Sequence, residues 1–169
     1  MSFNKKITTK EFYNIELINV AEWYAQSRKT DKEKFSSLPF QVQLALRTNI
    51  KEINKTTESI IEMRNDFVEG LRNKYFVPEK TDEVEHDGQK VMQLKDEYMT
   101  DYQTEASEYD KKLQEVFMDR TEVTLSVFDM DLIYETLPDD CKLNMDDIDM
   151  LSFMDKVDDK EDENTTEGE

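Results

Sequence analysis

The sequence predicts a mainly α-helical fold: a long antiparallel helical hairpin over about residues 38–118, an N-terminal helix, one or more short β-strands and a short C-terminal helix. Three observations predict it. Two stretches, from Val42 to about Phe76 and from Val91 to Phe117, carry apolar residues at three- and four-residue spacing. Only three Gly and three Pro occur in 169 residues, too few to punctuate the many turns of an all-β chain. Hydrophobic residues make up 37% and the mean hydropathy is -0.83, so the core is thin and suits helices with one apolar stripe. The length is that of one domain. A single helical domain is expected over 1–154, followed by a disordered acidic tail over 155–169.

Thr8-x-x-Glu11 has the form of a capping box ahead of Phe12, Ile15, Leu17, Ile18, Ala21, Trp23 and Tyr24, which places a first helix of about 18 residues there. Ser27 to Ser37 is polar and carries Arg28, Lys29, Lys32 and Lys34, so it reads as a linker. Pro39 suits a first helical turn, where its missing N–H would have no partner anyway. From there a seam follows Val42, Leu46, Asn49, Ile53, Thr56, Ile60, Met63, Phe67 and Gly70 in heptad-like steps. Ala45, Ile50, Ile61, Val68 and Leu71 widen the stripe, so this helix should touch more than one element. Ending near Phe76, it would run roughly 55 Å at about 1.5 Å per residue.

Between the two long helices, Asp87-Gly88 is flanked by Val84 and Val91 and can make a tight hairpin turn. The next helix carries Val91, Leu94, Tyr98, Tyr102, Ala106, Tyr109, Leu113, Val116 and Phe117. Glu122-Val123-Thr124-Leu125-Ser126-Val127-Phe128 then alternates and is β-branched, a short strand. Its partner is either the Val84 region or the same strand of another subunit. Leu137-Pro138 breaks the chain, and Asn144 can cap a short helix through Ile148, Leu151 and Met154.

The chain has 40 acidic and 22 basic side chains, a net charge of -18. Such a surface repels polyanions, so direct nucleic-acid binding is not expected, and neither is an anionic membrane. No stretch approaches the ~18 apolar residues of a bilayer span, and the lysine-bearing N-terminus lacks the apolar core of a secretory signal. One cysteine, Cys141, agrees with a reducing compartment. Residues 121–169 hold 17 acids against 3 bases, and residues 1–120 hold 23 against 19. Charge gathered at one end serves solubility or partner steering more than rigid mimicry of a phosphate backbone.

No catalytic, cofactor-binding or metal-binding residue is assigned. His86, the sole histidine, lies far in sequence from Cys141, whose neighbours Asp139 and Asp140 would raise a thiol pKa. The clusters Asp129/Asp131, Asp139/Asp140 and Asp146/Asp147/Asp149 lack the glycine and terminal glutamate of a calcium-binding loop. They read as solvated acids or helix N-terminal charges. Tyr98, Tyr102 and Tyr109 read as hairpin core. Asn49 and Thr56, polar in an apolar seam, are candidates for setting register or oligomeric state, or else face solvent.

The string Leu38-Pro39-Phe40-x-Val42, then Arg47-x-Asn49-Ile50-Lys51, Glu62-x-Arg64-Asn65 and Lys74-Tyr75, resembles a family of small tailed-phage and prophage proteins of uncharacterised function. That family has an LP-x-K-V helix, a charged Asp/Gly-containing linker, a second helix and a strand. The segment from Glu122-Val123-Thr124-Leu125 to Leu151 resembles its closing strand and short helix, so the likeness covers about 36–154. Gln41 and Gln43 stand where a lysine is common, and the long acidic tail is an addition. The resemblance implies phage origin and carries over no catalytic residue. The function expected is non-enzymatic: a small virion or assembly component acting by protein–protein contact. Its partners would be itself, as a homo-oligomer, other phage proteins or a host protein, in the host cytoplasm or the virion. The alternative is an acidic antagonist of a host defence or nucleic-acid enzyme.

Overall fold

In the computed structural model, which describes residues 3–156, the chain runs β1 (Lys6–Tyr13), α1 (Asn14–Thr30), α2 (Phe40–Tyr75), β2 (Thr81–His86), β3 (Gln89–Leu94), α3 (Asp96–Met118), β4 (Arg120–Val127), α4 (Met130–Tyr134) and α5 (Met145–Leu151), with a closing 3-10 turn, Ser152–Met154. Among the described residues this is a mixed α/β fold, five α-helices with two two-stranded antiparallel sheets. The mainly α class framed by a long helical hairpin is therefore corrected. α3 meets only the outer half of α2. The inner half lies against β4 and α1.

The first difference is at the N-terminus. Lys6–Tyr13 is a strand, its half-buried face formed by Thr8, Lys10 and Phe12 and its open face by Ile7, Thr9 and Glu11, the period of two that a helix cannot use. Helix α1 starts at Asn14, and the acid that fixes its entry is Glu16, which accepts the Tyr13 N–H at 2.8 Å. Glu11 instead faces Arg120 across the sheet at 2.9 Å. The linker expected over 27–37 is also shorter. α1 continues to Thr30, and Phe35 is buried between Trp23 and Tyr24, with ring centroids 5.4 and 5.5 Å away.

The strand at 122–128 finds its partner inside the chain. β4 pairs antiparallel with β1, Thr8 opposite Leu125 and Lys10 opposite Val123, so neither the Val84 region nor a second subunit is needed. Val123, Leu125 and Val127 point into the core with Leu17, Leu46, Ile53 and Leu151. The chain's last described residues bond to Phe128, just past the end of β4. Phe128 N–H donates to Met154 O at 2.9 Å and Lys156 N–H to Phe128 O at 2.8 Å, a one-residue parallel bridge to Asp155. Lys10 reaches across to donate to the carbonyls of Phe153 and Asp155. Of the tail read over 155–169, Asp155 and Lys156 thus have defined places, and 157–169 lie outside the described residues.

α2 is 36 residues, about 54 Å at ~1.5 Å per residue. Its buried positions are Val42, Ala45, Leu46, Asn49, Ile50, Ile53, Thr57, Leu71 and Tyr75. The heptad seam holds to Ile53 and then slips: Thr57 is buried instead of Thr56, Leu71 instead of Gly70, and Met63 is 43% exposed. A straight helix gains about 20° per heptad on a 3.5-residue repeat. Over five turns the buried stripe therefore moves off the seam. Beyond the end of α2, Asp87 and Gly88 take φ of 51° and 77°, and the tight turn they form aligns Val84 with Val91 in the β2–β3 hairpin, as the dipeptide signals.

Candidate interaction surface

The outer half of α2 and α3 form an arm with its own small core of Leu71, Tyr75 and Leu94, flanked by Phe67, Tyr98, Tyr102 and Ala106. Its helices are held face to face by aromatic contacts. Phe67 and Tyr109 stack with centroids 3.4 Å apart and planes 4° from parallel, and the Tyr109 hydroxyl donates to Met63 O at 3.2 Å. Tyr75 and Tyr102 meet edge to face at 5.4 Å. The tyrosines read as core thus do lie against α2.

Near the β2–β3 end, Glu105 accepts from Lys74 Nζ at 2.8 Å and from the Tyr75 hydroxyl at 2.9 Å. The Lys74 ammonium, then the Tyr75 hydroxyl, hold the Glu105 carboxyl below its ordinary pKa. Burial, and then the hydrogen bond to Glu105, push the Tyr75 phenol up. Lys80 lies over both Tyr75 and Tyr98, 5.2 and 5.4 Å from the ring centroids. A phenol raised this way keeps its proton near neutrality and acts as a hydrogen-bond donor. The group ties α3 to α2.

Between the helices the arm leaves an open groove of about 560 Å³, floored by Phe67, Leu71, Tyr102, Ala106 and Leu113, with Val68 beside them. Val68 is 59% exposed and Phe76, at the groove end, 41%. The residues contributed by α2 (64, 67, 68, 71, 72) and by α3 (102, 106, 109, 110, 113) repeat at three and four, so one face of each helix lines the groove, the same face whose Phe67, Leu71, Tyr109 and Leu113 pack the helices together. Of the residues that widened the stripe on α2, Val68 and Leu71 lie here, whereas Ala45 and Ile50 are in the main core and Ile61 packs beside Ile18, Leu113 and Phe117. Three charged residues border the groove: Arg64, Arg72 and Asp110. Arg64 is engaged by Glu22 of α1 at 2.8 Å. Arg72 and Asp110, both exposed, form no ion pair or side-chain hydrogen bond among the described residues. Neither was singled out in the sequence. A charge at the border of an apolar stripe looks there like any solvated residue.

The remaining sequence candidates do not converge. His86 is exposed at the hairpin tip beside Asp87, and Cys141, of intermediate exposure, lies in the loop before α5. Among the described residues no group of three or more His, Cys, Asp or Glu could hold a metal ion. Two of the acids are spent on local structure. Asp129 caps α4 through Leu132 N–H and pairs with Lys156 at 2.6 Å, beside a second cleft of about 410 Å³ lined by Phe3, Lys6 and Leu132. Asp147 turns inward, with its side chain only 2% exposed, and meets Lys34 at 2.8 Å and the Trp23 indole N–H at 2.9 Å. It also accepts the Asn144 N–H at 3.0 Å while Asn144 caps its own N–H at 2.9 Å. Burial pushes its carboxyl up, but these donors outweigh it and hold the pKa below the ordinary value.

Asn49 faces neither solvent nor a second helix. It is 1% exposed, donates to Ser126 O and accepts from Ser126 N–H, both at 2.8 Å, and so completes the outer edge of β4 as a strand would. Thr56 only bonds back to Glu52 O at 3.4 Å. No helix among the described residues is long and apolar enough to cross a membrane. Comparison with protein-family models, curated proteins and solved structures finds no match.

Proposed function

We propose that the chain is a non-enzymatic tailed-phage protein that works by protein–protein contact, as a small virion or assembly component that self-associates. The observation that carries this reading is the open groove of the α2–α3 arm, about 560 Å³ and floored by aromatic and aliphatic side chains. An apolar face shared by two helices and left uncovered is what an interaction site requires. The phage assignment rests on the resemblance carried by Leu38-Pro39-Phe40-x-Val42 and the motifs after it. The unpaired strand edge that the sequence offered as a second support is gone, since β1 fills it.

The test is affinity capture with the full chain from lysates of infected cells, beside light scattering of the purified protein at micromolar concentration. Stoichiometric recovery with structural or assembly proteins of the phage, or a defined oligomer, is expected. A strictly monomeric particle that retains no phage protein would sink the reading. Recovery of a basic host nuclease, in a salt-sensitive complex, would favour the acidic antagonist instead.

A further inference from the structure

We infer that the groove of the arm is the contact surface for a second copy of this chain, closed by reciprocal ion pairs between Arg72 of each copy and Asp110 of the other. This deepens the reading that the chain works by protein contact and rests on it. The groove is lined by apolar residues of both helices, with Val68 and Phe76 exposed along it, and such a two-helix face is covered most completely by another two-helix face. Its charged border discriminates among occupants. α2 contributes an exposed arginine, α3 an exposed aspartate, and neither has an ion-pair partner among the described residues, although both line the same groove. A partner bearing only one sign would satisfy one and repel the other. The same face on a second copy carries both, and in a two-fold contact residue i meets j while j meets i. Arg64, the other cation there, is withdrawn from this role by Glu22.

The experiment is sedimentation velocity of the full chain across the micromolar range. The samples are the wild type, Arg72→Asp, Asp110→Arg, the double exchange, an equimolar mixture of the two single variants, and Val68→Glu. The wild type should dimerise. Each single exchange sets like charges against each other twice and should weaken the dimer about tenfold or more. The double exchange, and the mixture of singles as a heterodimer, should recover it, because each places opposite charges together again. Both exchanged residues are exposed, and recovery on mixing itself shows that the single variants are folded.

A wild-type dimer indifferent to these exchanges and to Val68→Glu would overturn the inference while leaving self-association through another surface intact. A wild type monomeric throughout would overturn both. A monomer that captures a phage protein through the groove, with capture lost in Val68→Glu, would overturn the second-copy assignment and keep the contact reading.

Discussion

At the scale of single residues, two buried polar side chains hold long-range contacts that no apolar residue could replace. Asn49 satisfies both backbone groups of Ser126 at an edge with no further strand. Removing it strands a donor and an acceptor, each worth about 1–3 kcal/mol when buried without a partner. Asn49→Ala is expected to lower unfolding free energy by about 3 kcal/mol, seen as a fall in the urea midpoint, whereas Thr56→Ala should stay within about 0.5 kcal/mol. A neutral Asn49→Ala would show that water replaces the amide. Asp147 is the second. Because its folded pKa lies below the unfolded value, its contribution is present above the unfolded pKa, about 3.9, and is lost as pH falls through the folded pKa. Asp147→Asn should therefore cost about 3 kcal/mol near neutrality, and its penalty should shrink as the pH drops below about 4. Trp23, the only tryptophan and a donor to this carboxylate, reports the change by its emission. A penalty constant from pH 7 to 2 would place the effect in shape rather than charge.

At the scale of elements, α2 shows how far a pattern carries. Its start at Pro39 and its length were legible, because Pro and the 3–4 spacing act locally. Which side is buried past Ile53 was not, because the accumulated drift of a straight helix depends on the absence of a supercoiled partner. The β2–β3 hairpin is the opposite case: Asp87 and Gly88 dictate it through their positive φ, while its strands bury only Thr81 and Leu94. Gly88→Val strains a backbone conformation that side chains avoid. Faster amide exchange confined to residues 81–94 is the expected outcome, with the global thermal midpoint nearly unchanged. A lowered midpoint for the whole chain would mean that the hairpin supports the core more than its burial indicates.

At the scale of the whole molecule, stability is uneven. The inner half of α2 lies in a continuous core with α1, the β1–β4 sheet and the C-terminal segment, whereas the arm rests on a few aromatic contacts and the Glu105 tie. Local opening should follow that difference. Hydrogen exchange is expected to protect 42–57 and 123–127 most, and residues 64–75 and 98–110 markedly less. Association through the groove would raise protection of the arm alone as concentration increases. Equal protection of both regions at low concentration would contradict this division.

The sequence by itself determined α2, the body of α3, the tight turn at Asp87-Gly88, the capped α5 and the strand at 122–128, since each is written in neighbouring residues; Val91 and Leu94, read as the start of the third helix, instead lie in β3, and that helix begins at Asp96. It also determined that apolar surface on α2 exceeds what one partner covers. Only the tertiary structure decided that Lys6–Tyr13 is a strand. A capping-box spacing and an alternating pattern coexist there, and the vacant edge of β4, over a hundred residues away, selects the second. The same distance hid the roles of Asn49 and Asp147, whose partners lie 77 residues off at Ser126 and 113 off at Lys34. Folding, not spacing, brings those groups into one low-dielectric interior, where a single amide or carboxylate can settle how the chain closes.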